Sequence, residues 1–219
     1  MILDNRRVFA PLRLCLKYFS APRALKDYAT HIPILIGLAR LRDARSVLEF
    51  GCGHYSTLTF LNASAFPHLE RLHSIENDDS WAQTIQEAAR NDLRWRLQLV
   101  KGEISEFVAD LDLESFDLIL IDDSKISEQR AATIRAVAAK EPKHPWIVIH
   151  DFEFGEYRRA ASAFQHQHRF RGYNPETGVV TNQMNEWRII DRVIKSKAKL
   201  LEPDAIAQWI DSFRQDVQD

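Results

Sequence analysis

The chain has 219 residues, 45% of them hydrophobic and 27% charged, with a formal net charge of −2, the balance of a globular protein large enough for a real core. That charge excludes a protein wrapped in a basic field for nucleic acid. Cys15 and Cys52, the two cysteines, lie far apart and make no disulfide framework, which fits a reducing cytoplasm; no apolar run approaches the roughly 20 residues that span a bilayer.

Residues 1–30 read as an N-terminal helical cap. Val8, Leu12, Cys15, Leu16 and Phe19 recur at helical spacing among Arg6, Arg7, Arg13, Lys17, Arg23 and Lys26. An apolar face of that kind packs on a domain; the sharper alternative is a polyanion-binding arm. Charges interrupt the apolar residues, so the segment does not read as a secretory signal. His31–Leu41 follows as a helix, with Ile34, Leu35 and Leu38 on one face. Apolar runs and amphipathic stretches then alternate. The predicted strands are Ser46–Phe50, Leu69–Ile75, Leu97–Val100, Phe116–Ile121 and Trp146–His150. The predicted helices between them are Thr57–Ala63, Asp79–Arg90, Ile104–Leu111 and Ile126–Ala139, continued by Tyr157–Phe164. Strand–helix alternation predicts a parallel sheet with helices on both faces and with every strand's C-terminal end on one edge. Two further short strands, His168–Tyr173 and Asn185–Asp191, are expected as antiparallel partners across the turn Asn174–Gly178. Pro203–Val217 reads as an amphipathic helix within a C-terminal segment, 192–219.

Chemistry concentrates where strands end, because ligands in open parallel sheets sit there. The first strand exits through Glu49-Phe50-Gly51-Cys52-Gly53-His54-Tyr55-Ser56-Thr57. Glycine permits positive φ and close approach of a ligand to the backbone. A dinucleotide fingerprint would carry a third glycine where Ser56 stands, and no Gly-Lys-Ser/Thr phosphate loop is present. Glu49 instead suits a ligand bearing an ammonium group. Glu76, ending the second strand, can accept hydrogen bonds from a ribose diol. The fourth and fifth strands end in Asp122-Asp123 and His150-Asp151, which adjacent strand tips bring together. Carboxylates so grouped are oxygen ligands for Mg²⁺, with Asp122, Asp123 and Asp151 as candidates. Without a metal, His150 or Asp151 can take a proton from an acceptor hydroxyl.

The Glu49-x-Gly51-x-Gly53 pattern resembles motif I of the class I S-adenosylmethionine (SAM) methyltransferases, with Tyr55 where many members have another glycine. Phe116–Asp122 and Ile149-His150-Asp151-Phe152 resemble the corresponding segments of small-molecule O-methyltransferases. The resemblance spans 31–191 and implies a Rossmann-like, doubly wound, mostly parallel seven-stranded sheet of order 3-2-1-4-5-7-6, ending in an antiparallel pair. It implies that Glu49, Gly51, Gly53, Tyr55, Ser56, Glu76, Glu103 and Asp122 hold SAM, with Glu103 toward the adenine. Asp122, His150 and Asp151 then face the acceptor, which is expected to be a small molecule methylated on a hydroxyl. No nucleic-acid partner is expected, and the terminal helices are the candidate faces for a homodimer. The rival readings are a nucleotide-dependent oxidoreductase and a non-catalytic binding or scaffold protein on the same sheet.

Overall fold

The computed structural model describes residues 29–183 except 90, 91, 172 and 173. The N-terminal segment up to residue 28, the expected Asn185–Asp191 strand and the Pro203–Val217 helix lie outside the described residues. Helix α1 (Ile32–Arg42) leads into β1 (Ser46–Phe50), α2 (Thr57–Leu61), β2 (Arg71–Glu76), α3 (Asp79–Ala88) and β3 (Trp95–Leu99). Then come α4 (Ile104–Phe107), β4 (Leu118–Ile121), α5 (Ser127–Ala139), β5 (Trp146–Ile149), α6 (Gly155–Ala160), β6 (His166–Phe170) and β7 (Thr177–Thr181). The strands form one sheet in the order β3-β2-β1-β4-β5-β7-β6. β1 to β5 are mutually parallel, and β7 runs antiparallel to both β5 and β6.

Alternation along the strands divides the core between two faces. Val47, Leu118, Leu120, Trp146 and Val148 pack with Ile34, Leu35 and Leu38 of α1 and Phe60 of α2. Leu48, Phe50, Ile119, Ile121, Ile147 and Ile149 pack on the other side with Ile104 of α4, Ile134 and Val137 of α5, and Tyr157 of α6. All four residues of β4 and of β5 are buried, as a central parallel strand covered on both faces requires. Asp78 caps α3, its side chain accepting from the Trp81 amide at 3.0 Å. Among the described residues no helix is long and apolar enough to cross a membrane.

The antiparallel pair departs from expectation. The second partner is Thr177–Thr181, which overlaps the expected turn and precedes Asn185. Its β-branched residues suit a strand, while Gly178 and the nearby Asn-Pro gave the segment the look of a turn. Gly178 is there for packing: it pairs with Ile149 and Arg169, and a Cβ on it would overlap the Phe152 ring. Gly178→Ala is therefore expected to lower stability by about 1–3 kcal/mol through overpacking, although alanine ordinarily suits a strand better than glycine. Denaturant midpoints of the two proteins measure this, and equal midpoints would show that Phe152 moves aside at little cost.

Candidate active site

Strand registry sets the site. Phe50 is opposite Ile75 of β2 and Ile121 of β4, and Ile121 is opposite Ile149 of β5. Gly51, Glu76, Asp122 and His150 therefore leave the sheet at one level. Backbone bonds carry the registry past the strand ends: Gly51 N to Ile75 O at 2.9 Å, Asp122 N to Phe50 O at 2.9 Å, and His150 N to Ile121 O at 3.2 Å.

The glycine turn is packed from within. Gly51 has φ +83°, and a Cβ there would overlap the backbone of Asp122 and Asp123. The chain's own close packing, together with the positive φ, thus requires glycine at this position. Cys52 N donates to Glu76 Oε2 at 3.1 Å, and Gly53 N donates to Thr57 Oγ1 at 3.0 Å. The turn amides at 51 to 53 are all bonded inside the chain. Trp81 Nε1 donates to Cys52 O at 2.6 Å, and its ring meets His54 edge-on at 5.5 Å.

Glu49 lies fully buried beneath this turn. Its Oε2 accepts from Thr57 Oγ1 at 2.8 Å and Ser74 Oγ at 2.5 Å, with the Ser56 hydroxyl alongside. Among the described residues its Oε1 has no well-aligned donor. Burial pushes the carboxyl up to about 7, against the pull of those hydroxyls. Glu76 is also buried. Its Oε1 accepts from the Asn77 and Asp78 amides at 2.8 and 2.9 Å. Its Oε2 accepts from Cys52 N and, weakly, from Cys52 Sγ at 3.6 Å. A carboxylate offers about four acceptor positions, so a ligand hydroxyl would take the place of the thiol. Glu103 is half-buried ahead of α4, and its Oε1 accepts from Gln129 Nε2 at 2.8 Å. Tyr55 packs against the cluster that contains α1, whereas Gly53 keeps an ordinary backbone.

At the tips of β4 and β5 the expected cluster forms around a residue that the sequence reading passed over. Arg130 of α5 is buried, its NH2 2.7 Å from Asp122 Oδ1 and its NH1 2.8 Å from Asp151 Oδ2. Its guanidinium lies over the Tyr157 ring at 5.5 Å. His150 Nδ1 lies 3.3 Å from Asp122 Oδ2 and 3.6 Å from Asp151 Oδ1, and its Nε2 is 3.2 Å from Thr30 Oγ1. Burial opposes charge on both His150 and Asp122, but their mutual attraction prevails, joined by Arg130 at Asp122 and by Asp151 at His150, where Arg130 pulls the other way. The imidazole is held above its ordinary value and the Asp122 carboxyl well below the carboxylate range. Asp151 takes φ +57° as the chain leaves β5, a region that aspartate tolerates better than most residues.

The three-carboxylate site for Mg²⁺ does not assemble. Arg130 joins Asp122 to Asp151, already supplying positive charge between them. Asp123 turns toward α5, its Oδ2 accepting from Thr133 Oγ1 at 2.5 Å, and burial raises it to about 6. Arg130 was discoverable: it shares a helical stripe with Ile134 and Val137, both buried, and a charge on such a stripe needs partners. His31 is also at this edge, its ring 4.7 Å from that of His150, and no motif marks it.

Residues 48–152 match a family model described as a methyltransferase domain. Over those residues the chain is similar to a methyltransferase domain, and its sheet is that of a fold shared with solved structures. Cofactor-bound Rv0187 from MTB has the same fold, with TM-score 0.53, 20% identity, and coverage of 84% of this chain and 93% of that one. So has the O-methyltransferase TomG from Streptomyces achromogenes, solved with SAM, with TM-score 0.50, 21% identity, and coverage of 83% and 100%. No curated protein sequence matches the chain significantly.

Two outcomes follow from the buried charges. Arg130→Met strands two carboxylates that lose their shared cation, with an expected loss of about 3–5 kcal/mol; chemical denaturation at neutral pH reads it, and an unchanged midpoint would contradict the clamp. Glu49 has a folded-state value near 7 against 4.5 for the free side chain. Its contribution to stability is complete below about 4.5 and is lost as pH rises through 7. Glu49→Gln should therefore gain stability relative to the parent between pH 5 and pH 8, by up to about 3 kcal/mol. A difference between the two proteins that stays constant with pH would mean Glu49 does not carry this shift.

Proposed function

We propose that this domain methylates a small-molecule acceptor on a hydroxyl oxygen, with SAM as donor. The carrying observation is the acidity of the strand-tip edge. Glu49, Glu76 and Asp122 stand at the ends of three adjacent strands, and the buried Arg130 is spent on Asp122 and Asp151. A pyrophosphate would meet Glu49 and Glu76, neither of which has a cationic partner among the described residues, whereas a ligand bearing ammonium and sulfonium charges would meet complementary groups. This favours a methyl donor over a dinucleotide and argues against the oxidoreductase reading.

The residues fit such a ligand in stated ways. Glu49 would present its undonated Oε1 to the amino-acid end, beneath the Gly51–Gly53 turn. Glu76, fixed by three amides, would receive a ribose hydroxyl at Oε2. Glu103 is the candidate for the adenine edge. Tyr55 and Ser56 would act through the turn, one packing it and the other supporting Glu49. When bound, SAM supplies an electrophilic methyl carbon; the acceptor oxygen bonds to it as the carbon–sulfur bond breaks, leaving S-adenosylhomocysteine.

The chain's remaining work is alignment and proton transfer. The side chains of Asp151 and Asp122 are 25% and 22% exposed against 2% for His150, so an acceptor hydroxyl can reach the carboxylates; with Asp122 assigned to the cofactor, Asp151 is the candidate base. It would take the hydroxyl proton. Arg130 and His150 hold it and Asp122 in place. The O-methyltransferase TomG, which shares the fold, supports oxygen as the target atom.

Asp151→Asn keeps the size of the side chain but removes the proton acceptor. S-adenosylhomocysteine formation with hydroxylated acceptors should fall by about 100-fold, while the affinity for SAM changes little. Turnover at the parent's rate would remove Asp151 from proton transfer, and a parallel loss of SAM affinity would reassign it to binding.

A further inference from the structure

A second cluster at the same edge differs in chemistry from the oxygen-rich one that fails to assemble. His31, just ahead of α1, Asp122 and His150 bring one ligand atom each to within 4.8 Å of one another. His31 is 1% exposed, and among the described residues neither of its ring nitrogens has a hydrogen-bond partner. A buried imidazole with both nitrogens unsatisfied is costly, and this one is turned edge-on to His150 with ring centroids 4.7 Å apart.

We propose that His31, His150 and Asp122 form a binding site for a divalent ion of borderline softness, with Zn²⁺ the first choice. Two imidazoles and a carboxylate suit Zn²⁺ and its neighbours, whereas Mg²⁺ prefers an all-oxygen shell. Ligands at about 2.1 Å in a tetrahedron stand about 3.4 Å apart. His150 Nδ1 and Asp122 Oδ2 are already 3.3 Å apart. His31 closes the set by a ring movement that breaks no hydrogen bond.

The surroundings have the form of an outer shell. With Nδ1 on the ion, His150 Nε2–H donates to Thr30 Oγ1, 3.2 Å away, and Arg130 holds the other oxygen of Asp122 at 2.7 Å. Such partners fix the tautomer and orientation of metal ligands. The ion would tie residues 30 and 31, which precede the methyltransferase match at 48–152, to the tips of β4 and β5.

The full-length chain is titrated with Zn²⁺ by calorimetry, without SAM or acceptor, so the outcome is independent of methyl transfer. His31→Phe keeps the ring and removes two unsatisfied nitrogens, so the fold should tolerate it. The parent should bind one Zn²⁺ more per chain than His31→Phe, or bind its tightest ion at least about 10-fold more strongly. Co²⁺ should give the parent visible absorption that the variant lacks. Zn²⁺ should raise the unfolding temperature of the parent and not of the variant. Thr30→Val retains all three ligands but unsupports His150, and should weaken the site by about 10-fold; it serves as the reporter if His31→Phe fails to fold. Equal Zn²⁺ stoichiometry and affinity in parent and variants overturn the site, as does a parent that binds no Zn²⁺.

Discussion

One guanidinium organises the candidate functional edge of this molecule. Arg130 reaches up from the buried stripe of α5 and bonds Asp122 at the tip of β4 and Asp151 just past β5. Without it, two carboxylates and a histidine would crowd a poorly solvated corner where adjacent strands end. With it, Asp122 stays ionised and His150 gains a fixed anionic partner. Asp151 is held in its left-handed exit from the strand. Tyr157 completes the arrangement by offering a ring to the same cation. Buried charge of this kind is expensive to desolvate, and its location beside the strand tips ties that cost to the site rather than to general stability.

The glycine turn shows how two demands converge on one residue. Gly51 has the backbone conformation expected of a ligand-cradling turn, yet the atoms that exclude a side chain belong to Asp122 and Asp123. The first and fourth strands are thus bound together at the same level as the site. A substitution there disturbs the fold before it disturbs a ligand, so loss of binding in such a variant would say little about contact. Glu49 and Glu76 are more informative residues, because their carboxylates are positioned by hydroxyls and amides. The acidity they bring is conspicuous beside a corner whose buried cation is already paired.

Much of this architecture was legible in the sequence because each central strand is a short apolar run bounded by polar turns, and the strand tips carry the chemistry. That rule singled out Glu49, Glu76, Asp122, His150 and Asp151 as candidates, and the structure places them along one edge. The rule failed where side chains reach the edge from helices. Arg130 was hidden inside a helix whose mixed alanines and polar residues blur the apolar face. His31 precedes α1 and becomes part of the edge only when the chain folds back across β4 and β5. β7 was misplaced because glycine was read as turn chemistry, when its role at 178 is to admit the ring of Phe152. The three-carboxylate metal site failed for a different reason: neighbouring positions in sequence point opposite ways, and Asp123 faces Thr133.

The central claim is that the acidic strand-tip edge holds a positively charged methyl donor. Calorimetric titration of the full-length chain with SAM, S-adenosylhomocysteine and NAD⁺ under one buffer condition tests it most directly. The account predicts one molecule of SAM or S-adenosylhomocysteine per chain and no saturable heat with NAD⁺. Saturable binding of NAD⁺ by a folded chain that takes up neither SAM nor its demethylated product would contradict it.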